Sequence, residues 1–472
     1  MSALIDGLNL ILWEYVLVYG LLLVGLYFTV RLRLIQFRHF TEMFRVLRNS
    51  SNEDKAGISP FQALTVSLAS RVGTGNIAGV AVALYLGGAG AIFWMWMVAL
   101  VGMATAYSES TLAQLYKVKN AEGMYRGGPA FYLARGLRAP WAGGVFSICL
   151  ILSFGLVFNA VQANSIADAM EGAFGLPKLA VGLFVALLSG IVIFGGIRQI
   201  AHVAQLVVPF MAGAYLLTAI YVLLINWSEV PGVFGSIFAS AFGWQEAAGG
   251  TTGGVMAALM NGVKRGLFSN EAGMGSAANI AAVATPQPHH PSSQGFVQAL
   301  GVFIDTILIC TATAIVILLS GALVPESGVT GAQLTQAALT EHLGSLGGQF
   351  IAVAIFFFAF TSIIGNYSYA ENAMTFLRVG TGPGILILRT AVLLMVIWGA
   401  YETVATVFNA ADASMGLMAT INLVAIVLLS GTVAKLTKDY FAQRKAGDVP
   451  VFQAADYPEL SGKIDQTIWT RE

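Results

Sequence analysis

Apolar runs long enough to cross a lipid bilayer recur along this 472-residue chain. A bilayer core is crossed by about 20 apolar residues in helical form. In hydrocarbon, every backbone N–H and C=O of a helical span must find its partner within that span. Repeated runs of this length therefore leave a bundle of helices as the only fold. Charged residues make up 10% of the chain and hydrophobic ones 57%, whereas a soluble domain carries about 25% charged residues. The chain reads as an all-α polytopic membrane protein whose first partner is the lipid bilayer. Its net charge is zero, and its cations are spread over several loops, so no nucleic-acid partner is expected.

Eleven spans are expected, near 10–30, 58–86, 91–116, 141–169, 179–196, 203–225, 252–282, 296–321, 349–376, 384–400 and 403–433. The N-terminus lacks a basic region and a small-residue cleavage site, so the first run is expected to stay as a helix. Arg31, Arg33, Arg38, Arg45, Arg48 and Lys55 follow the first span. Lys117, Lys119, Arg126, Arg135 and Arg138 follow the third, and Lys435, Lys438, Arg444 and Lys445 follow the last. Apart from Lys178, the alternate loops are nearly free of Lys and Arg. The positive-inside rule then puts the N-terminus outside and the C-terminus in the cytoplasm. Cys149 and Cys310 both lie within apolar runs and read as small core residues.

Two spans are interrupted. The second reads Arg-Val-Gly-Thr-Gly-Asn-Ile-Ala-Gly over 71–79, and the seventh is polar from Asn261 through Gly275. With the first helix set aside, the breaks fall in the first and sixth of ten remaining spans. That spacing predicts two five-helix halves of opposite direction with a binding site at the midplane. The expected division is 1–57, then the repeats 58–226 and 227–435, then a cytoplasmic tail 436–472. Thr330 to His342, in the outer loop, fits a short surface helix.

A broken helix offers free N–H groups and partial positive charge at the start of one half, and free carbonyls at the end of the other. The N–H groups of Thr74 and Gly75 suit a carboxylate. The carbonyls of Ala69 and Val72, with the side-chain oxygen of Asn76, suit a hard cation such as sodium. Gly75 and Gly79 also fit a helix-packing face of small residues. Thr and Asn within the same turn favour the ligand reading. A passive channel would need a repeated filter motif or rings of charge, and neither is present. No HExxH, GxSxG or Walker A sequence occurs, and the five histidines are dispersed, so an enzyme is not expected.

Longer strings carry a resemblance. VGTGNIAGVA (72–81), GGAGAIFWMWMVALVG (87–102), GMATAYSESTLAQLYK (102–117), YRGGPAFYLARGL (125–137), VQANSIA (161–167), FSNEAGMGSA (268–277) and DTILICTATA (305–314) resemble the bacterial alanine/glycine:cation symporter family. The resemblance runs from about 55 to 435. It implies a LeuT-type 5+5 inverted repeat preceded by one extra helix, and sodium- or proton-coupled uptake of a small neutral amino acid. It implies that Thr74 and Gly75 hold the substrate, that Gln162 faces it, and that an unwound stretch Phe268, Ser269, Asn270 completes the pocket. It also implies that Thr361 and Ser362 complete a sodium site with carbonyls of the first break. On the residues alone, two adjacent hydroxyls equally bond back to carbonyls one turn earlier. Two positions depart from the family pattern: Arg71 replaces a small or uncharged residue, and Asn366 replaces a large aromatic. Asn366 would make one pocket wall smaller and more polar, which points to serine or glutamine beside alanine and glycine.

Arg71, Lys264, Arg265, Glu271 and Asp305 lie within the expected spans. Charges at this depth cost at least about 2.5 kcal/mol and therefore have partners or a path to serve. Arg71 and Glu271 flank the two breaks and are expected to pair as a gate on the cytoplasmic side, with Asp305 expected to pair Lys264 or Arg265. Glu109, beside Ser108, Ser110 and Thr111, is a lesser gate candidate. The oxygen ligands favour sodium as the coupling ion, with Glu271 and Asp305 as candidate proton carriers. His289 and His290 fall in a Pro-rich loop, 284–295, which reads as solvated, without carboxylate or cysteine at metal-ligand spacing.

Overall fold

The computed structural model describes residues 2–48, 50, 56–243, 253–324, 328–380 and 382–470. Lys55 and the first residue of the expected seventh run lie outside them. Among the described residues, eight helices are long and apolar enough to span a membrane: Ile5–Arg31, Gly90–Leu115, Pro140–Phe174, Gly196–Ile225, Pro291–Ser320, Ser345–Phe376, Pro383–Tyr401 and Val404–Leu428. The shorter apolar helix Lys178–Phe194 and the two interrupted segments, 60–87 and 253–283, occupy the other three expected runs. The amphipathic stretch from Thr330 to His342 lies on the helix Gly331–Leu343.

Burial separates a central post from a lipid-facing rim. The third and ninth spans are 67% and 72% buried over their apolar windows, against 28% for the first, sixth and tenth. The third span packs against the first, seventh and eighth, and the ninth packs against the fourth and sixth. The interrupted spans lie between these groups. They run antiparallel. At one end Ile58 N–H donates to Val283 O at 3.3 Å and Thr285 N–H to Ile58 O at 2.9 Å. At the other end Gly87 lies so close to the seventh span that a Cβ there would sit 3.0 Å from Ala257 O. The first of these ends also carries the basic loops and is called the basic end below.

Local chemistry starts the second span. Ser59 Oγ accepts from Gln62 N–H and Gln62 Oε1 accepts from Ser59 N–H, both at 3.1 Å, with Pro60 at the first helical position. This reciprocal cap satisfies two of the N–H groups a helix start leaves open.

The basic end is more ordered than the sequence suggests. The expected run 403–433 divides at Leu429 into Val404–Leu428 and a second helix, Ser430–Ala446. The chain then folds back instead of trailing as a tail. Phe452 and Trp469 are fully buried; Trp469 Nε1 donates to Leu115 O at 3.2 Å and Phe452 N–H to His289 O at 2.9 Å. The loop at 284–295 is not solvated either. A helix begins at Pro291, capped by His290, which is buried with Nε2 3.3 Å from Asp439. The covering groups come from a helix 149 residues further on, a contact that local composition does not carry. No cluster of three or more His, Cys, Asp or Glu able to hold a metal occurs among the described residues.

Candidate functional site

The second span loses its helix after Arg71. Val72 leaves the helical region with ψ of 87°, and a wide π-helical turn, Gly75–Gly79, restarts the chain. The break is held by side chains. Asn76 Oδ1 accepts from Gly73 N–H at 3.1 Å, and Gln162 Oε1, from the fourth span, accepts from Thr74 N–H at 3.0 Å. Gln162 therefore occupies one of the two N–H groups expected to meet a carboxylate. Asn76 uses its oxygen locally and turns its amide to Asp305.

The seventh span breaks later than expected. Its first half runs as a helix to Asn270, and the left-handed positions are Glu271 (φ 58°), Gly273 (φ 92°) and Gly275 (φ 82°). Phe268, Ser269 and Asn270 are thus the last turn of a helix, not an unwound stretch. Gly266 is not a hinge; it admits Val98 of the third span against the backbone. Asn270 Oδ1 closes the turn by accepting from Ala272 N–H at 3.0 Å.

The two breaks meet. A Cβ on Gly75 would lie 3.1 Å from the Phe268 ring and 3.2 Å from Ser269 Cα, so only glycine allows this approach without displacing a neighbour. On the opposite side a Cβ on Gly73 would lie 2.7 Å from Gln162 Oε1 and closer still to Ser362 Oγ. Ser362 Oγ lies 2.7 Å from Ala69 O and 3.0 Å from Phe358 O, while Thr361 Oγ1 donates to Phe358 O at 2.9 Å. Both readings of the hydroxyl pair thus hold in part: each bonds back along its own helix, and Ser362 alone reaches the break. Thr74 Oγ1 and Asn270 Nδ2 are buried with no hydrogen-bond partner among the described residues. Buried polar atoms left open in this way call for a ligand or water.

Asp305 joins both broken spans. It accepts from Asn76 Nδ2, from Ser269 Oγ at 3.0 Å and from Thr306 Oγ1 at 2.6 Å. It lies in a second π-helical turn, Phe303–Cys310, and Cys310 Sγ comes within 3.1 Å of Ser269 Oγ. The expected pairing of Asp305 with Lys264 or Arg265 does not occur. Those cations turn the other way, to Asp412 of the eleventh span, at 3.4 Å and 2.5 Å. Asp412 lies within an expected span and carries the same burial cost as Asp305, but nothing along the chain places it opposite Lys264 and Arg265.

The expected Arg71–Glu271 ion pair is not made either. Glu271 accepts from Ser70 Oγ at 2.9 Å and Ser276 Oγ at 2.5 Å, and Arg71 Nη1 donates to Gln298 O at 3.3 Å. Hydroxyls on adjacent turns satisfy the carboxylate, so the buried guanidinium acts on it, and on Glu109 and Asp305, only through its field. Glu109 accepts from Asn422 Nδ2 at 2.8 Å, and the same amide donates to Gly273 O at 2.9 Å. Asn366 bonds Ser70 Oγ and donates to Asn159 Oδ1 at 3.1 Å. It therefore stands beside the turn that precedes the first break.

Away from the basic end, Phe268 lies between Phe158 and Phe408, with ring centroids at 4.8 Å and 5.4 Å. Above this aromatic layer is a cavity of about 470 Å³ lined by Tyr85, Asp168, Lys264, Arg265, Phe408 and Asp412 among others. The two breaks thus lie behind a lid one side chain thick.

A family model described as the sodium:alanine symporter family matches residues 1–454. The amino-acid carrier protein AlsT of Bacillus subtilis (strain 168) is 49% identical, over 95% of this chain and 94% of its own length. The probable sodium/glutamine symporter GlnT of the same organism is 48% identical, over 94% and 91%. The sodium/alanine symporter AgcS of Methanococcus maripaludis is 39% identical, over 94% and 98%.

Proposed function

We propose, from the premise that this chain belongs to the sodium:alanine symporter family, that it takes up a small neutral amino acid together with sodium by alternating access. The coarse part of that reading, a cation-coupled amino-acid symporter and not an enzyme, follows from the family itself. The finer part rests on one observation: the first break touches, at Gly75, the last helical turn before the second break, Phe268–Ser269, and Thr74 Oγ1 and Asn270 Nδ2 are buried without a partner among the described residues. The substrate carboxylate would take the Thr74 and Gly75 N–H groups, displacing Gln162 Oε1 to the ammonium or side chain. Phe268, Ser269 and Asn270 would line the pocket's other wall. Ala69 and Val72 carbonyls with Ser362 and Thr361 hydroxyls, and Asn76 through its oxygen, would take the sodium ion.

The family setting supports repeats 58–226 and 227–435 around this site, and the basic loops support an inner-membrane orientation with the N-terminus outside. Alanine and glycine are the expected substrates. The polar setting of Asn366, and a relative named for glutamine, support serine or glutamine as well. The buried carboxylates Glu271 and Asp305 beside the breaks favour a second reading, proton coupling.

The test is uptake of labelled alanine into proteoliposomes of the purified protein. A sodium gradient alone, at equal pH, is expected to drive concentrative uptake, whereas a pH gradient alone is not. Uptake driven only by the pH gradient would transfer the coupling to the proton. Unlabelled serine and glutamine are expected to compete; if glycine displaces alanine and they do not, the Asn366 reading is wrong.

A further inference from the structure

A cavity of about 720 Å³ lies away from the helix breaks. It lies at the basic end, where the first span ends at Arg31. A tight turn with Arg33 and Leu34 in the left-handed region (φ 55° and 59°) leads into the helix Phe40–Arg48. Arg31, Arg33, Arg38 and Arg45 line one side, and Lys438, Arg444 and Lys445 of the helix Ser430–Ala446 line the other.

The charge balance inside it is one-sided. Among the described residues, Glu42 is the only carboxylate in the lining, and it is used already: Arg45 and Arg444 pair with it, the latter at 3.3 Å, and Tyr440 OH donates to it at 2.9 Å. Among the described residues, Arg31, Arg33, Arg38, Lys438 and Lys445 have no ion pair. His39 stacks on Phe441 at 3.8 Å, and burial with Arg38 beside it holds its imidazole below the ordinary range, so it adds a wall and no charge. Five uncompensated cations around one hollow repel one another, and an anion placed among them relieves that repulsion.

Depth identifies the anion's source. Arg31 is the last residue of a membrane span, so the hollow stands at headgroup level. Val30, Leu34, Phe37 and Phe44, next to it in the chain, are each about half exposed or more. They form an apolar rim of the kind that rests on acyl chains. We propose that this cavity binds the phosphate of an anionic lipid headgroup. Such a lipid would bridge the first span, through Arg33 and Arg38, to the C-terminal helix, through Lys438. Basic pockets on the cytoplasmic side of membrane proteins hold phospholipid headgroups by this chemistry.

The test uses the full chain, purified in detergent and stripped of lipid. Its thermal midpoint is followed while phosphatidylglycerol, phosphatidylcholine or inorganic phosphate is added. Phosphatidylglycerol is expected to raise the midpoint saturably, and the other two to do little. Replacing Arg33→Gln, Arg38→Gln and Lys438→Gln together, all at exposed positions, is expected to weaken half-saturation by roughly tenfold or more. The matched variant Lys119→Gln, Arg138→Gln and Arg378→Gln keeps the cavity and is expected to titrate like the parent. Equal responses to phosphatidylglycerol and phosphatidylcholine would overturn the site. So would equal weakening in both triple variants, which reads as diffuse surface charge. A response to inorganic phosphate matching that to phosphatidylglycerol would overturn the lipid assignment in favour of a soluble anion.

Discussion

Ser362 shows how far one hydroxyl can be ranked above its neighbour. Its oxygen is within hydrogen-bond reach of both Ala69 O and Phe358 O, yet it has one proton to donate. Its lone pairs and the Ala69 carbonyl remain suited to a hard cation. Among the described residues, Thr361 Oγ1 bonds Phe358 O alone. Ser362→Ala is therefore expected to raise half-saturating sodium by about tenfold, the equivalent of about 1.4 kcal/mol. The KM for alanine at saturating sodium should stay nearly constant, and Thr361→Ala should move sodium dependence less. Sodium titrations of uptake for both variants decide this, and equal shifts would remove the ranking. Gly75→Ala probes the substrate side. The added methyl meets the Phe268 ring and the Ser269 backbone at 3.1–3.2 Å, so alanine uptake should fall by an order of magnitude or so while the thermal midpoint moves little. The residues of the first break were legible because Gly, Thr and Asn are out of place in an apolar run. The roles of Asp412 and Cys310 were not, since nothing along the chain says that Asp412 will meet Lys264 and Arg265, or that a small core residue such as Cys310 will face Ser269.

The interrupted helices show the same contrast one level up. Their existence and their spacing could be read from polarity alone, but the position of the second break could not. Gly266 and Gly273 look alike in sequence; in the fold one packs against Val98 and the other holds φ of 92°. Tertiary packing decides which glycine bends. The first half of the seventh span carries Lys264 and Arg265, and the eleventh span holds it through Asp412, which is buried as deeply as Arg265. Removing one partner of a buried ion pair leaves an uncompensated charge and costs about 3–5 kcal/mol. Asp412→Asn is thus expected to lower the thermal midpoint clearly. The double change Arg265→Gln, Asp412→Asn should recover part of the loss, with Lys264 limiting the recovery. A double variant no more stable than Asp412→Asn would show that the pair does not fasten these elements. The C-terminal segment was missed as an element for a related reason. Phe452, Ile464, Ile468 and Trp469 are spaced too irregularly for a helix or strand, yet all four are buried, and Trp469 and Phe452 bond to Leu115 and His289 in distant parts of the chain.

For the whole molecule, the cavity of about 470 Å³ lies on the side of the breaks opposite the basic end. Toward the basic end the way is filled: Arg71, Glu271, Asn279 and Asn422 are all buried there. A protein held in this form would expose its site, once Phe268 and Phe408 part, to one side of the membrane only. The proposed alternating access requires a second form in which this cavity narrows. A ligand can favour that form only by binding it better than the first. Asn409 lines the cavity and is exposed, so a thiol at this position reports the opening. In a Cys149→Ala background, with buried Cys310 left in place, Asn409→Cys is expected to react with a membrane-impermeant maleimide on intact cells. Lys119→Cys, exposed at the basic end, should react only after the membrane is permeabilised. Alanine with sodium together should slow labelling of Asn409→Cys several-fold, and either alone should slow it less, because coupling means that both are needed to shift the population. If Lys119→Cys is the thiol that labels on intact cells, the orientation is reversed. If labelling of Asn409→Cys ignores both ligands, the cavity is a fixed feature of the fold and not one arm of a transport cycle.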